Sequence, residues 1–163
     1  MARTYALILP PLAVTVAQDL IEIQGVVGKA LILRRVRIAA VDTTAPGSQM
    51  LSWRMSLLTA ATVGTGGGAV TPARTDPGDP AATFTAARNN TGKATGTGTI
   101  FYQGADHVFN GLDETFDGIV MKSPPVIASS VTAGSRTLIV IELLSVVTPT
   151  VTLGGIAEVE EWG

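Results

Sequence analysis

A chain of 163 residues, 46% apolar and 15% charged, is long enough for one domain with a real core and too apolar to be a disordered tail. A net charge of −2 excludes a global attraction to nucleic acid or to acidic membranes. Cysteine is absent, which excludes disulfides, thiolate chemistry and cysteine-built zinc sites. So low a charge on a soluble chain points to a surface partly covered by partner subunits. The rival reading is a neutral Gly/Thr/Ala surface that sticks to nothing.

The N-terminal apolar run, Ala6 to Leu9, is cut by Pro10-Pro11, so it reads as a first strand and not as a signal peptide. Thr4 to Leu9 and Leu12 to Val16 are expected as short β pieces around a rigid Pro-Pro corner. Asp19 to Gln24 alternates, with Ile21 and Ile23 on one face and Glu22 and Gln24 on the other, as a half-buried strand does. A strand follows over Leu31 to Val41, with Ile32, Arg34, Val36 and Ile38 predicted on one face and Arg35 and Arg37 on the other. Those three arginines lack interleaved aromatics, so a solvated or interfacial face is expected in place of a nucleic-acid groove. Asp42 to Gln49 reads as a loop. Leu51, Trp53, Met55 and Leu57 then alternate with Ser52, Arg54 and Ser56; this is the clearest strand of the first half, and Trp53 is predicted in the core.

Residues 63–98 form a long connection rich in Gly, Thr, Ala, Pro and Asn. Gly64, Gly66, Gly67 and Gly68 are read as giving it flexibility, and Pro72, Pro77 and Pro80 forbid a central strand or helix there. Asp76-Pro77-Gly78-Asp79-Pro80 is turn chemistry, Thr83 to Ala87 a short strand, and Asn89-Asn90-Thr91-Gly92 another turn. A loop this long is expected to be ordered by packing on its own domain or on a neighbour. Strands resume at Thr95 to Gln103, Asp106 to Asn110, Thr115 to Met121 and Val126 to Val131. Arg136 to Val147 is apolar on nearly both faces and therefore central. Its core, Leu138 to Val147, is about half the length of a membrane span and carries Glu142, so no membrane is expected. Val151 to Leu153 and Ile156 to Trp162 are predicted as a closing hairpin across Gly154-Gly155.

Around nine to eleven short strands and no helix define an all-β, single-domain chain over 1–163. The predicted architecture is a jelly-roll-like antiparallel β-sandwich with extra edge strands; an immunoglobulin-like sandwich is the second choice. Residues 1–11 are an arm that can extend onto a partner or exchange between subunits.

No catalytic, cofactor-binding or metal site is predicted. His107, beside Asp106, is the only histidine, and no nucleophile elbow accompanies it. A hydrolase centred on His107 is the weakest functional reading. The glycines at 64–68 lack the Lys-Ser or Lys-Thr and the following helix of a phosphate loop. Asp76 and Asp79 are interrupted by prolines where a calcium loop alternates. Asp113, Glu114 and Asp117 read as a solvated turn, although paired carboxylates can cleave glycosides. Asn89-Asn90-Thr91 matches a glycosylation sequon, relevant only in a secretory pathway. Lys29, Arg34, Arg35, Arg37 and Arg54 oppose Glu158, Glu160 and Glu161; such patches can meet between identical subunits or within one.

The run Gly64 to Pro72 leading to Asp76-Pro77-Gly78-Asp79-Pro80-Ala81-Ala82 resembles a segment of small virion proteins of tailed bacteriophages. Val14 to Glu22 and Gly154 to Gly163 are similar to the ends of such chains. The resemblance implies a jelly-roll head decoration (cement) protein: a non-enzymatic homotrimer on the outer capsid surface that bridges major capsid proteins. It implies synthesis in the host bacterial cytoplasm, and partners limited to the major capsid protein and the chain itself, with no nucleic acid, membrane or cofactor. The alternative is a carbohydrate- or receptor-binding jelly-roll module of a phage tail or fibre, a reading that calls for exposed aromatics.

Overall fold

The computed structural model describes residues 1–41, 47–116, 126–127, 136–145 and 147–163. Through them run β1 (Ala2–Val14), β2 (Gln18–Gln24), β3 (Ala30–Ala40), β4 (Met50–Thr62), β5 (Gly68–Val70) and β6 (Ala73–Arg74). The second half contributes β7 (Thr85–Asn90), β8 (Thr95–His107), β9 (Leu112–Thr115), β10 (Val126–Ile127), β11 (Leu138–Leu143) and β12 (Val151–Trp162).

All ladders are antiparallel, and they build two sheets. One has the order β10-β3-β12-β1-β6, with β9 also on β3; the other runs β5-β7-β2-β11-β4-β8. Without β5, β6 and β7 the pairing is nested. β1 pairs with β12, β2 with β11, β3 with β9 and β10, and β4 with β8. That is one long hairpin rolled so that successive pairs fall in alternate sheets, the connectivity of a jelly roll. The chain is an all-β antiparallel sandwich, as the strand count and turn spacing predict.

The core is the set of inward positions of both sheets. Leu51, Trp53 and Met55 are fully buried in the predicted alternation, and they meet Ile139 and Ile141 of the neighbouring β11 together with Leu7, Leu33, Val36 and Val159 of the opposite sheet. Each such side chain contributes about 1.5–3 kcal/mol on burial. Edge-to-face pairs join Tyr5 to Phe84 and Phe101 to Phe116, at ring separations of 5.7 and 5.9 Å.

Several elements depart from the sequence reading, each for a local reason. Pro10 and Pro11 do not turn the chain; β1 passes through them with a register shift between Leu9 and Leu12, a bulge that absorbs two residues unable to donate to the ladder. Residues 1–11, expected as an arm, lie within this chain's own sheet, where Ala2–Leu9 pair with Trp162–Gly155. A second bulge, opposite Glu158 and Val159, shifts the inward set of β3 to Leu31, Leu33, Val36 and Ile38 and turns Arg34 outward beside Arg35. The predicted closing hairpin at Gly154-Gly155 is instead one strand. A side chain at Gly155 would stand 2.1 Å from the Arg37 carbonyl oxygen, so glycine there permits close strand approach and marks no turn.

The 63–98 connection is not one loop. It gives β5 and β7 to the edge of the second sheet and β6 to the edge of the first, so it wraps the open side of the sandwich. The Asp76–Asp79 turn forms as expected, with the Gly78 N–H donating to Asp76 Oδ1 at 2.8 Å. Phe84 anchors the whole insertion by entering the core against Tyr5. Parts of the loop expected at Asp42–Gln49 and of the strands expected at Thr115–Met121 and Val126–Val131 lie outside the described residues.

Candidate assembly surface

β8 closes one edge of the second sheet and has no strand partner on its outer side among the described residues. It is 13 residues long, and Thr95 through Ile100 are all exposed. Long edges are normally blunted by proline, lysine or an inward charge. β8 contains neither proline nor lysine, and its half from Thr95 to Phe101 is uncharged. The segment Thr95-Gly96-Thr97-Gly98-Thr99 reads the same in both directions, so two antiparallel copies can set Thr97 against Thr97 and Thr95 against Thr99. Ile100, half exposed, adds an apolar contact at the end of that segment.

The insertion that leads into β8 is fastened to the sheet by buried charge. Ile21 and Ile23 point into the core, so Glu22 faces outward, beside Val140 and Leu138 of β11. That outer face is not solvated. Ala61, Leu138 and Val140 form a second small apolar cluster under Val63 and Ala94, and Asp19, Glu22 and Glu142 are buried next to it. The Gly64 N–H and the Asn90 amide donate to Glu22, the former at 3.0 Å. The Ala94 N–H donates to Asp19 at 2.6 Å. Arg54 grips Glu142 through Nε at 2.7 Å and Nη2 at 2.6 Å, and Lys93 pairs with the other oxygen. Three carboxylates thus face two cations. Burial pushes the Asp19 carboxyl up to about 7; the Ala94 N–H opposes this, and the charges of Glu22 and Glu142 reinforce it. Protonated, Asp19 leaves two carboxylates against Arg54 and Lys93, a balanced set.

Gly64 and Gly67 belong to this arrangement and do not supply flexibility. A Cβ at Gly64 would lie 2.2 Å from Glu22 Oε1, and one at Gly67 would lie 2.0 Å from the Arg88 carbonyl oxygen. Glycine is present because the backbone runs directly over the buried cluster.

The other sequence candidates fall apart in space. His107 Nε2 lies 3.0 Å from Ser48 Oγ, while its Nδ1 accepts the Phe109 N–H at 3.4 Å. The ring thus lies between the Ser48 hydroxyl and a main-chain N–H of its own turn. Asp106 and Glu114 lie near Tyr102, and burial together with those two charges pushes the Tyr102 phenol up to about 12. Asp113 pairs with Arg35 at 3.1 Å, and Asp117 lies outside the described residues. Asp79 approaches Arg3 at 3.8 Å while Asp76 closes its own turn. Asn89 of the sequon is buried, with a backbone φ of 55°, and accepts from Gln18. The opposed charge patches meet within the subunit, because β3 and β12 are neighbours and Arg34 pairs with Glu160.

The class that the fold defines is a jelly-roll sandwich with a strand-forming insertion between its fourth and fifth principal strands. Comparison of the chain with protein-family models, with curated proteins and with solved structures finds no match in any of the three.

Proposed function

We propose that this chain is a structural virion protein, a decoration or cement protein that binds the outside of a tailed-phage head and bridges major capsid proteins, itself as a homo-oligomer. The reading is non-enzymatic: adhesion by shape. The observation that carries it is the bare β8 edge, whose exposed, uncharged and self-complementary threonine-glycine segment invites strand addition by a neighbour. The resemblance of the 64–82 segment to phage virion proteins supplies the setting. Support also comes from the insertion, which adds β5 and β7 beyond β2 and lays β6 against Tyr5 and Ala6 of β1, while β8 has no strand on its outer side among the described residues.

The alternative, a glycan- or receptor-binding tail module, is less well supported. The exposed aromatics Phe109 and Trp162 sit near opposite ends of β3, since Leu112 pairs with Ile38 and Trp162 with Ala30. They do not form one platform. The test is co-sedimentation of the protein with expanded phage capsids, alongside its mass in solution by light scattering. Oligomers that bind shells support the proposal; a monomer that ignores shells and labels a glycan array sinks it.

A further inference from the structure

On the opposite side of the molecule, one strand arginine has no bonded partner among the described residues. Among the described residues, every other strand arginine has an acceptor or counter-ion. Arg3 and Arg74 reach Asp79, Arg34 reaches Glu160, Arg35 and Arg37 share Asp113, and Arg54 holds Glu142. Arg88 of β7 is partly buried, and no hydrogen bond or ion pair joins it to another described residue. Its cross-strand partners are Ile21, a core residue, and Gly68. Arg88 therefore sits on the core-facing side of the sheet, at the open end of the sandwich.

That end holds a cleft of about 350 Å³, lined by Arg88, Gly68, Leu12, Thr15, Val16 and Thr91 among others, and by no acidic residue. Gly68 makes the room: a Cβ there would have nothing within 4 Å. Asn89 and Gln18 also line the space, bonded to each other at 3.3 Å. The cleft has one positive fork, neutral hydroxyl and amide donors around it, and two partly exposed aliphatic walls in Leu12 and Val16.

The geometry points to a binding site for a carboxylate monoanion with a short aliphatic body, its two oxygens on the Arg88 guanidinium and its body between Leu12 and Val16. A planar fork fits a carboxylate through two parallel hydrogen bonds. A phosphate dianion would bring two charges to a single cation and leave one uncompensated. The volume falls within the range of small-ligand sites. Such a carboxylate can come from a free acid or from a glutamate or aspartate of a bound protein. The site stands whether or not the chain decorates a shell.

The test is titration of the full chain, observed by NMR at the Arg88 Nε–Hε resonance and at the backbone amides of residues 66–68. The probes are sodium isovalerate, a short end-blocked peptide with a single glutamate, and inorganic phosphate. Saturable shifts with isovalerate support a free-acid site, and saturation by the peptide alone supports the carboxylate of a protein partner. In either case Arg88→Gln and Gly68→Val each weaken binding at least about tenfold, the factor that corresponds to 1.4 kcal/mol. Arg88→Lys retains part of the affinity, and all three variants keep wild-type urea midpoints. Absence of saturation by any carboxylate, tighter binding of phosphate, or unchanged affinity in both Arg88→Gln and Gly68→Val would overturn the assignment.

Discussion

Replacing Asp19 by asparagine removes a proton that the native fold holds and the unfolded chain releases. Asp19 titrates near 3.8 when exposed and at about 7 in the fold, where it is buried against Glu22 and Glu142 from β2 and β11, with Arg54 and Lys93 across the cluster and the Ala94 N–H on its own oxygen. Between those two values the native state binds the extra proton, so stability falls as pH rises through the window. At about 1.4 kcal/mol per pKa unit, the full shift amounts to about 4 kcal/mol lost by slightly alkaline pH. Asparagine is close to the protonated acid in shape: its oxygen accepts from Ala94 and its amide donates to Glu22. The expected result is that Asp19→Asn matches the wild type at about pH 4 and exceeds it by up to about 4 kcal/mol at about pH 8. Urea unfolding, followed through the fluorescence of buried Trp53, measures both curves across that range. Parallel curves for the two proteins, or a wild type that gains stability from acid to alkaline pH, would refute the reasoning.

Gly64→Ala places a methyl against Glu22 and the Gly92 carbonyl and is expected to cost about 2 kcal/mol or more, whereas Gly68→Ala, facing open space, stays within about 0.5 kcal/mol; chemical denaturation separates them. Lysine at both Thr97 and Ile100 should abolish concentration-dependent association by light scattering and leave the melting temperature within a few degrees of wild type, because both side chains are exposed; undiminished oligomers would remove β8 from the interface. Tyr5→Phe loses the hydrogen bond to the Pro80 carbonyl and should cost about 1 kcal/mol in the same urea assay. His107→Ala should change stability by less than about 0.5 kcal/mol and leave capsid binding intact.

Where one face is core and the other solvent, the strands were legible from residue pattern alone. Leu51, Trp53 and Met55 show this, and β11 declared itself central by being apolar on nearly both faces. Patterning misled at bulges: one extra residue at Arg34 swaps the faces of the β3 residues before it, so Leu31 and Leu33 point inward in place of Ile32 and Arg34, and nothing in Leu-Arg-Arg-Val announces it. It misled again where glycine serves contact and not turning, as at Gly155 and Gly64. β7 was half missed because its last two residues are asparagines, which read as a turn, yet both are buried and satisfied by side chains of β2. The charged cluster was illegible for the same reason. Asp19 and Glu22 look like solvent-facing positions of an alternating strand, and their donors Ala94, Gly64 and Asn90 are dozens of residues away. Glu142, isolated within an apolar run, was the one visible signal of a buried ion pair.

The placement of the insertion ties these observations to the proposed role. A bare jelly roll has strand edges on both sides, and each is a site of unspecific pairing. Here β2 is flanked by the chain's own β7 and β5, and β1 by β6 at Tyr5 and Ala6, an insertion pinned by Phe84 in the core and by Glu22 and Glu142 on the outer face. Closing one side with so much buried polar structure costs desolvation that a stability-driven fold has no need to incur. It does make sense if the β8 edge is to be presented to a partner, because one preferred edge gives recognition one direction. Under the proposed role, the close-packed glycines, the buried asparagines and the carboxylate cluster hold the insertion in place, and β8 is the edge offered to a partner.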